Sequence, residues 1–209
     1  MELTIIIFLL GGLFLGWSLG ANDAANVFGT AVGTRMVSFK TAAIICSLFV
    51  ILGAIISGAG TTETLGKLGS INALPGAFAA CVAAGISVYL MTKVGLPVST
   101  TQAIVGAIVG WNIYTGSTTN MQVLFTIIGT WILCPIIAGI IAIGLFTLTK
   151  NFILKRKLHI LRLDAYTRTA LILAGAFGAY SLGANNIANV MGVFVPISPF
   201  TDITFSNFF

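Results

Sequence analysis

Five stretches of this chain, residues 3–22, 41–62, 68–92, 94–149 and 169–201, contain no Asp, Glu, Lys or Arg. A soluble domain covers its surface with charged side chains, about a quarter of its residues. Here 7% of residues are charged and 57% are hydrophobic, so lipid is the solvent for most of the surface. The apolar runs are long and show no sustained period-2 alternation, which reads as helices rather than barrel strands. About 20 apolar residues cross the hydrocarbon core. The 94–149 interval is long enough for two crossings, broken at the polar stretch Asn112–Asn120. The expectation is an all-α integral membrane protein with about six apolar helical segments, near 3–28, 41–58, 73–92, 98–114, 122–148 and 169–194.

Basic residues orient the segments. Lys150, Lys155, Arg156, Lys157, Arg162 and Arg168 mark 150–168 as a cytoplasmic loop. Counting back through alternating spans puts Lys93, Lys40 and Arg35 on the same side and the N-terminus outside. Only Lys67 disagrees. Segments 73–92 and 98–114 are either two full spans or a re-entrant hairpin with its tip at Lys93–Thr101. The hairpin would hold Lys93 at membrane depth, where a charge must snorkel or meet water.

Several functions find no support. The net charge of +5 comes mostly from residues at the ends of apolar runs, so it does not point to nucleic acid. Cys46, Cys81 and Cys134 have neither metal-ligand spacing nor an even count for disulfides. His159 lies in the basic segment without metal-like neighbours and reads as solvated surface. Thr61, Thr62, Glu63 and Thr64 read as an external loop, and Pro135 as a kink in a long helix. No nucleophile–base set, phosphate-binding Gly-Lys-Thr loop or redox motif occurs, so catalysis is not expected. The flank at Glu2 lacks Lys and Arg, which argues for a retained first helix rather than a signal peptide.

The chain repeats itself at an offset of 163. Ser18-Leu19-Gly20-Ala21-Asn22-Asp23-Ala24-Ala25-Asn26-Val27-Phe28-Gly29 matches Ser181-Leu182-Gly183-Ala184-Asn185-Asn186-Ile187-Ala188-Asn189-Val190-Met191-Gly192 at nine of twelve positions. Upstream, Gly12, Phe14, Gly16 and Trp17 correspond to Gly175, Phe177, Ala179 and Tyr180. An odd number of spans separates the copies, so they cross in opposite directions. Inverted repeats of this kind build transporters whose site lies near the midplane. The small residues at every fourth position also allow close helix packing.

Asp23 is the most informative residue, because a carboxylate within a membrane helix costs about 2.5–3.5 kcal/mol on insertion scales. Asp23 and Asn26 share a helix face and offer hard oxygens to a small cation. Asn186 and Asn189 repeat the geometry without the charge, and Gly20 and Gly29 would permit local unwinding. The alternative role for the amides is hydrogen bonding between helices. A second cluster, Pro97-Val98-Ser99-Thr100-Thr101-Gln102, reads as a helix N-terminus rich in donors, suited to a tetrahedral oxyanion. The alternative there is an ordinary capped helix.

The duplicated segment Gly20–Asn26 and Gly183–Asn189 resembles the signature of the PiT family of inorganic phosphate transporters. Pro97–Gln102 is similar to that family's hairpin-tip motif, and the resemblance runs from the first helix to the last. It implies phosphate transport coupled to sodium or protons, with sulfate carriers among relatives, in two inverted halves that tend to dimerise. Carried onto this chain, it implies a sodium site at Asp23 and Asn26 with Asn186 and Asn189 as partners, supported by Asn22 and Asn185. Ser99, Thr100, Thr101 and Gln102 would surround phosphate. Sodium would be the coupling ion, with no other cofactor. A bound cation would offset the anion's charge.

The expected function is a sodium-coupled phosphate symporter of the plasma membrane working by alternating access. The alternatives are a proton-coupled phosphate or a sulfate transporter, an anion channel, or a structural subunit. The family pattern continues with a second hairpin and more helices, so residues 1–149 are expected to be a first repeat and 169–209 the start of a second. The rest would come from the same longer chain or from another chain.

Overall fold

The computed structural model describes residues 2–68, 71, 74–155 and 159–194. They form seven helices: α1 (Glu2–Gly33), α2 (Phe39–Ser57), α3 (Ala59–Gly66), α4 (Leu74–Lys93), α5 (Thr100–Thr115), α6 (Met121–Lys155) and α7 (Ile160–Met191). Five of these (α1, α2, α4, α6 and α7) are long and apolar enough to cross a membrane. The chain is thus a multi-pass membrane protein. Large apolar residues such as Leu13, Ile44, Ile132, Phe146 and Phe177 are exposed, as lipid solvation requires.

Local chemistry sets the helix ends. Ser38 caps α2 by accepting the Thr41 N–H, and Ser99 caps α5 by accepting the Gln102 N–H. Gly116 ends α5 in the left-handed region at φ 69°, where the Ser117 N–H reaches back to the Asn112 carbonyl. At the end of α1, Arg35 takes a φ of 60° that glycine usually supplies.

Three expectations need correction. Residues 61–64 belong to the helix α3, not to a loop; its Leu65 packs against Gly192 beyond α7. The basic segment 150–168 is mostly helical, because α6 runs to Lys155 and α7 starts at Ile160. At 35 and 32 residues these helices exceed the roughly 20 needed to span, so their charged ends project past the hydrocarbon. His159 is the exposed N-cap of α7. Helix α1 also continues unbroken through Gly20 and Gly29, so no unwound carbonyls are offered there. The end of the expected second-repeat segment, 195–209, lies outside the described residues.

Packing follows the small residues. Helices α1 and α7 run antiparallel: Gly12 faces Val190 and Phe194, whereas Gly175 faces Phe28 and Gly178 faces Val27. Helices α2 and α7 run side by side in one direction and interlock. A Cβ on Gly183 would overlap the Val50 carbonyl oxygen, and one on Gly53 would overlap that of Tyr180. The Tyr180 hydroxyl closes this contact with Ser57 at 2.6 Å.

The α4–α5 pair is a hairpin whose depth can be read against α1. Phe78, at the start of α4, meets Gly11; Gly85 meets Phe14 and Leu15; Thr92, at the end, meets Asn22. The chain therefore turns back level with Asn22, eleven residues before α1 ends at Gly33, or roughly 16 Å short of it. Helix α5, at 16 residues, is about 24 Å long and shorter than the hydrocarbon core. An early turn and a short α5 are what the re-entrant alternative expects. Lys93, near the hairpin tip, is exposed and lies over the Tyr89 ring at 5.7 Å.

Candidate functional site

The antiparallel crossing of α1 and α7 brings the two repeated motifs face to face. Asn186 Nδ2 donates to Asp23 Oδ2 at 2.7 Å, joining positions that correspond at the repeat offset. The hairpin tip inserts between them. Thr100, the first residue of α5, donates to Asp23 Oδ2 at 3.3 Å and lies 3.4 Å from Asn186 Oδ1. Asn189 Nδ2 points to Asn186 Oδ1 at 2.9 Å, Thr101 Oγ1 at 3.2 Å and Thr100 Oγ1 at 3.3 Å. Asp23 (8% exposed), Thr100 (4%) and Asn189 (2%) are withdrawn from solvent, so these bonds form in a low-dielectric setting.

The two clusters read separately from the sequence are one network. Thr100 was expected among phosphate donors, yet its hydroxyl sits on the carboxylate of the cation cluster. Thr101 is half-buried beneath Asn189, while Ser99 and Gln102 are exposed at the start of α5. The remaining motif residues separate by copy. Asn22 is buried and bound to the hairpin tip, whereas its counterpart Asn185 is exposed. Conversely, Asn189 is buried against the tip, whereas its counterpart Asn26 is exposed and does not join the Asp23 network.

One contributor was missed. Thr92, on the other limb of the hairpin, accepts from Asn22 Nδ2 at 2.8 Å. Its sequence context carries no signal, because a threonine near a helix end normally bonds its own backbone, as Thr92 also does to Val88.

Chemically, the network offers a carboxylate oxygen, an amide oxygen and a hydroxyl oxygen. Thr100 Oγ1 lies 3.3 Å and 3.4 Å from the other two. A hard cation about 2.4 Å from each ligand would hold oxygens roughly 3.4 Å apart. Among the described residues no cluster of three His, Cys, Asp or Glu could hold a metal. The oxygen set suits a singly charged ion better than a soft or divalent one.

The sequence pattern of the phosphate transporter family matches residues 19–204. An inferred phosphate permease of Thermococcus kodakarensis is 37% identical over 167 residues, covering 75% of this chain and 41% of that protein. Another, from Chlamydia pneumoniae, is 34% identical over 208 residues, covering 94% of this chain and 47% of its own length. The chain thus spans less than half the length of these relatives. A solved structure described as the sodium-dependent phosphate transporter superposes with a TM-score of 0.77 at 22% identity, covering 95% of this chain and 68% of that one. That likeness establishes a shared fold.

Proposed function

The chain belongs to the phosphate transporter family, and from that premise we propose that it forms part of a carrier that moves inorganic phosphate across the membrane together with sodium. The observation that carries this reading is the Asp23–Asn186–Thr100–Asn189 network. It joins the only carboxylate of the two motifs to the first turn of α5, where helix N–H groups and hydroxyls favour an oxyanion. Sodium among Asp23, Thr100 and Asn186 would replace the hydrogen bonds that now tie these side chains together. It would also supply positive charge beside the phosphate donors Ser99, Thr101 and Gln102. Each substrate then strengthens the site of the other, which is the thermodynamic content of symport.

The exposed residues fit the same reading. Asn26 and Asn185 are the repeat counterparts of the two amides that hold the hairpin tip. A second hairpin, supplied by further chain or by another chain, would bury them and complete the ring of donors. Alternating access would then be a movement of the tips relative to the α1–α7 crossing. We place the N-terminus outside and the basic ends of α6 and α7 in the cytoplasm of a cell whose plasma membrane holds the carrier as a homodimer. The exposed apolar length of α6 offers a surface for lipid or for the partner protomer.

Uptake of labelled phosphate into membrane vesicles from cells carrying the gene tests the reading. Replacing sodium by choline should abolish uptake, and sulfate should compete weakly. Uptake that persists in choline would remove sodium coupling and favour protons; preferential uptake of sulfate would reassign the substrate.

A further inference from the structure

Asn22 stands beside Asp23 on α1 but faces a different neighbour. Successive helix positions differ by about 100°, so Asp23 is directed at α7 and the first residue of α5, and Asn22 at the end of α4 and the turn that follows it. One Asn22 Nδ2 donates to Thr92 Oγ1 at 2.8 Å and to the Leu96 carbonyl at 3.4 Å, and Asn22 Oδ1 accepts the Val98 N–H at 3.4 Å. Thr92 gives its own proton to the Val88 carbonyl at 2.8 Å, so towards Asn22 it acts as an acceptor. A single side chain, 6% exposed, therefore grips the end of α4, the turn and the segment leading into α5. Its oxygen is committed to a backbone N–H and takes no part in the hydrogen bonds around Asp23. Only Ser99 separates Val98 from Thr100, so displacement of one carries the other.

We propose that Asn22 is a positioning residue for the oxyanion site: it fixes the hairpin tip against α1 so that Ser99–Gln102 meet phosphate while Thr100 stays on Asp23. It is not a sodium ligand. The inference rests on the phosphate-carrier reading and adds a division of labour within the motif, with Asp23 handling the cation and Asn22 holding the anion donors. Thr92 becomes a functional partner although it touches none of the candidate ligands.

The test is sodium-driven phosphate uptake by the complete native protein, with phosphate titrated at saturating sodium and sodium at saturating phosphate. Asn22→Ala should raise half-saturating phosphate about tenfold and Thr92→Val about fivefold, the effect of losing one or two neutral hydrogen bonds. The double variant should be no worse than Asn22→Ala alone. Half-saturating sodium should shift by less than half-saturating phosphate, since of its three ligands only Thr100 rides on the hairpin tip, and Thr92→Ser should restore the phosphate value. Should Asn22→Ala fail to reach the membrane, Thr92→Val and Thr92→Ser carry the test. A shift in sodium rather than phosphate would make Asn22 an ion ligand and overturn the proposal. A fall in maximal rate alone would overturn it too, leaving a packing role. Wild-type protein without sodium-dependent uptake would instead overturn the carrier reading itself.

Discussion

Replacing Asp23 by Asn would turn the first motif into a copy of the second at its most telling position, and the geometry sets the outcome. Asp23 Oδ2 accepts from Asn186 at 2.7 Å and from Thr100 at 3.3 Å. An asparagine keeps an oxygen for the Asn186 amide and loses only the charge-assisted part of these bonds, about 1 kcal/mol. It also removes a buried charge, which contributes in the opposite direction. Folding stability in choline should therefore change little. Sodium binding should change a great deal. A unit charge within about 4 Å of the cation contributes at least about 4 kcal/mol at an effective dielectric constant near 20, so affinity should fall by at least about 100-fold. Thermal unfolding of the purified protein separates the two effects. At sodium 100 times the wild-type dissociation constant, binding stabilises the wild type by about 2.7 kcal/mol. This is roughly 5–10 °C for a protein of this size. Most of that increment should vanish in Asp23→Asn, while the unfolding temperatures in choline agree within about 3 °C. An unchanged sodium midpoint in the variant would refute the assignment of Asp23 as the cation's charged ligand.

Gly183→Ala places a Cβ against the Val50 carbonyl and should part α2 from α7, lowering stability by about 1–3 kcal/mol. Gly139→Ala, which meets nothing within 4 Å, should be neutral or stabilising by up to about 1 kcal/mol in the same thermal assay. Hairpin depth is tested by thiol labelling in a background lacking Cys46, Cys81 and Cys134. A cysteine at Lys93 should react with an impermeant reagent from the cytoplasmic side at least tenfold more slowly than one at Lys40. Equal rates would mean that α4 crosses completely.

Much of this protein was determined by its sequence alone, because the responsible physics is local. Charge-free runs specify helices in lipid wherever they occur, and the 163-residue offset identifies two motifs whose polar residues require partners inside the protein. The antiparallel sense of the motifs follows from counting spans. What the sequence could not settle depends on depth and rotation. Residues 73–114 read equally well as two spans or as a hairpin, since apolar length does not reveal where a chain turns. Only the register of α4 on α1, from Gly11 facing Phe78 to Asn22 facing Thr92, shows that the chain turns back before α1 ends. Spacing likewise set Asp23 with Asn26 on one face, but helix rotation buries Asp23 against Asn186 and leaves Asn26 exposed. Rotation likewise gives Thr100 and Asn22 neighbours that spacing does not reveal: the threonine hydroxyl rests on the Asp23 carboxylate, and the amide on the hairpin tip. Residue types announced that polar partners must exist; the small-residue contacts between helices decided which partners they are.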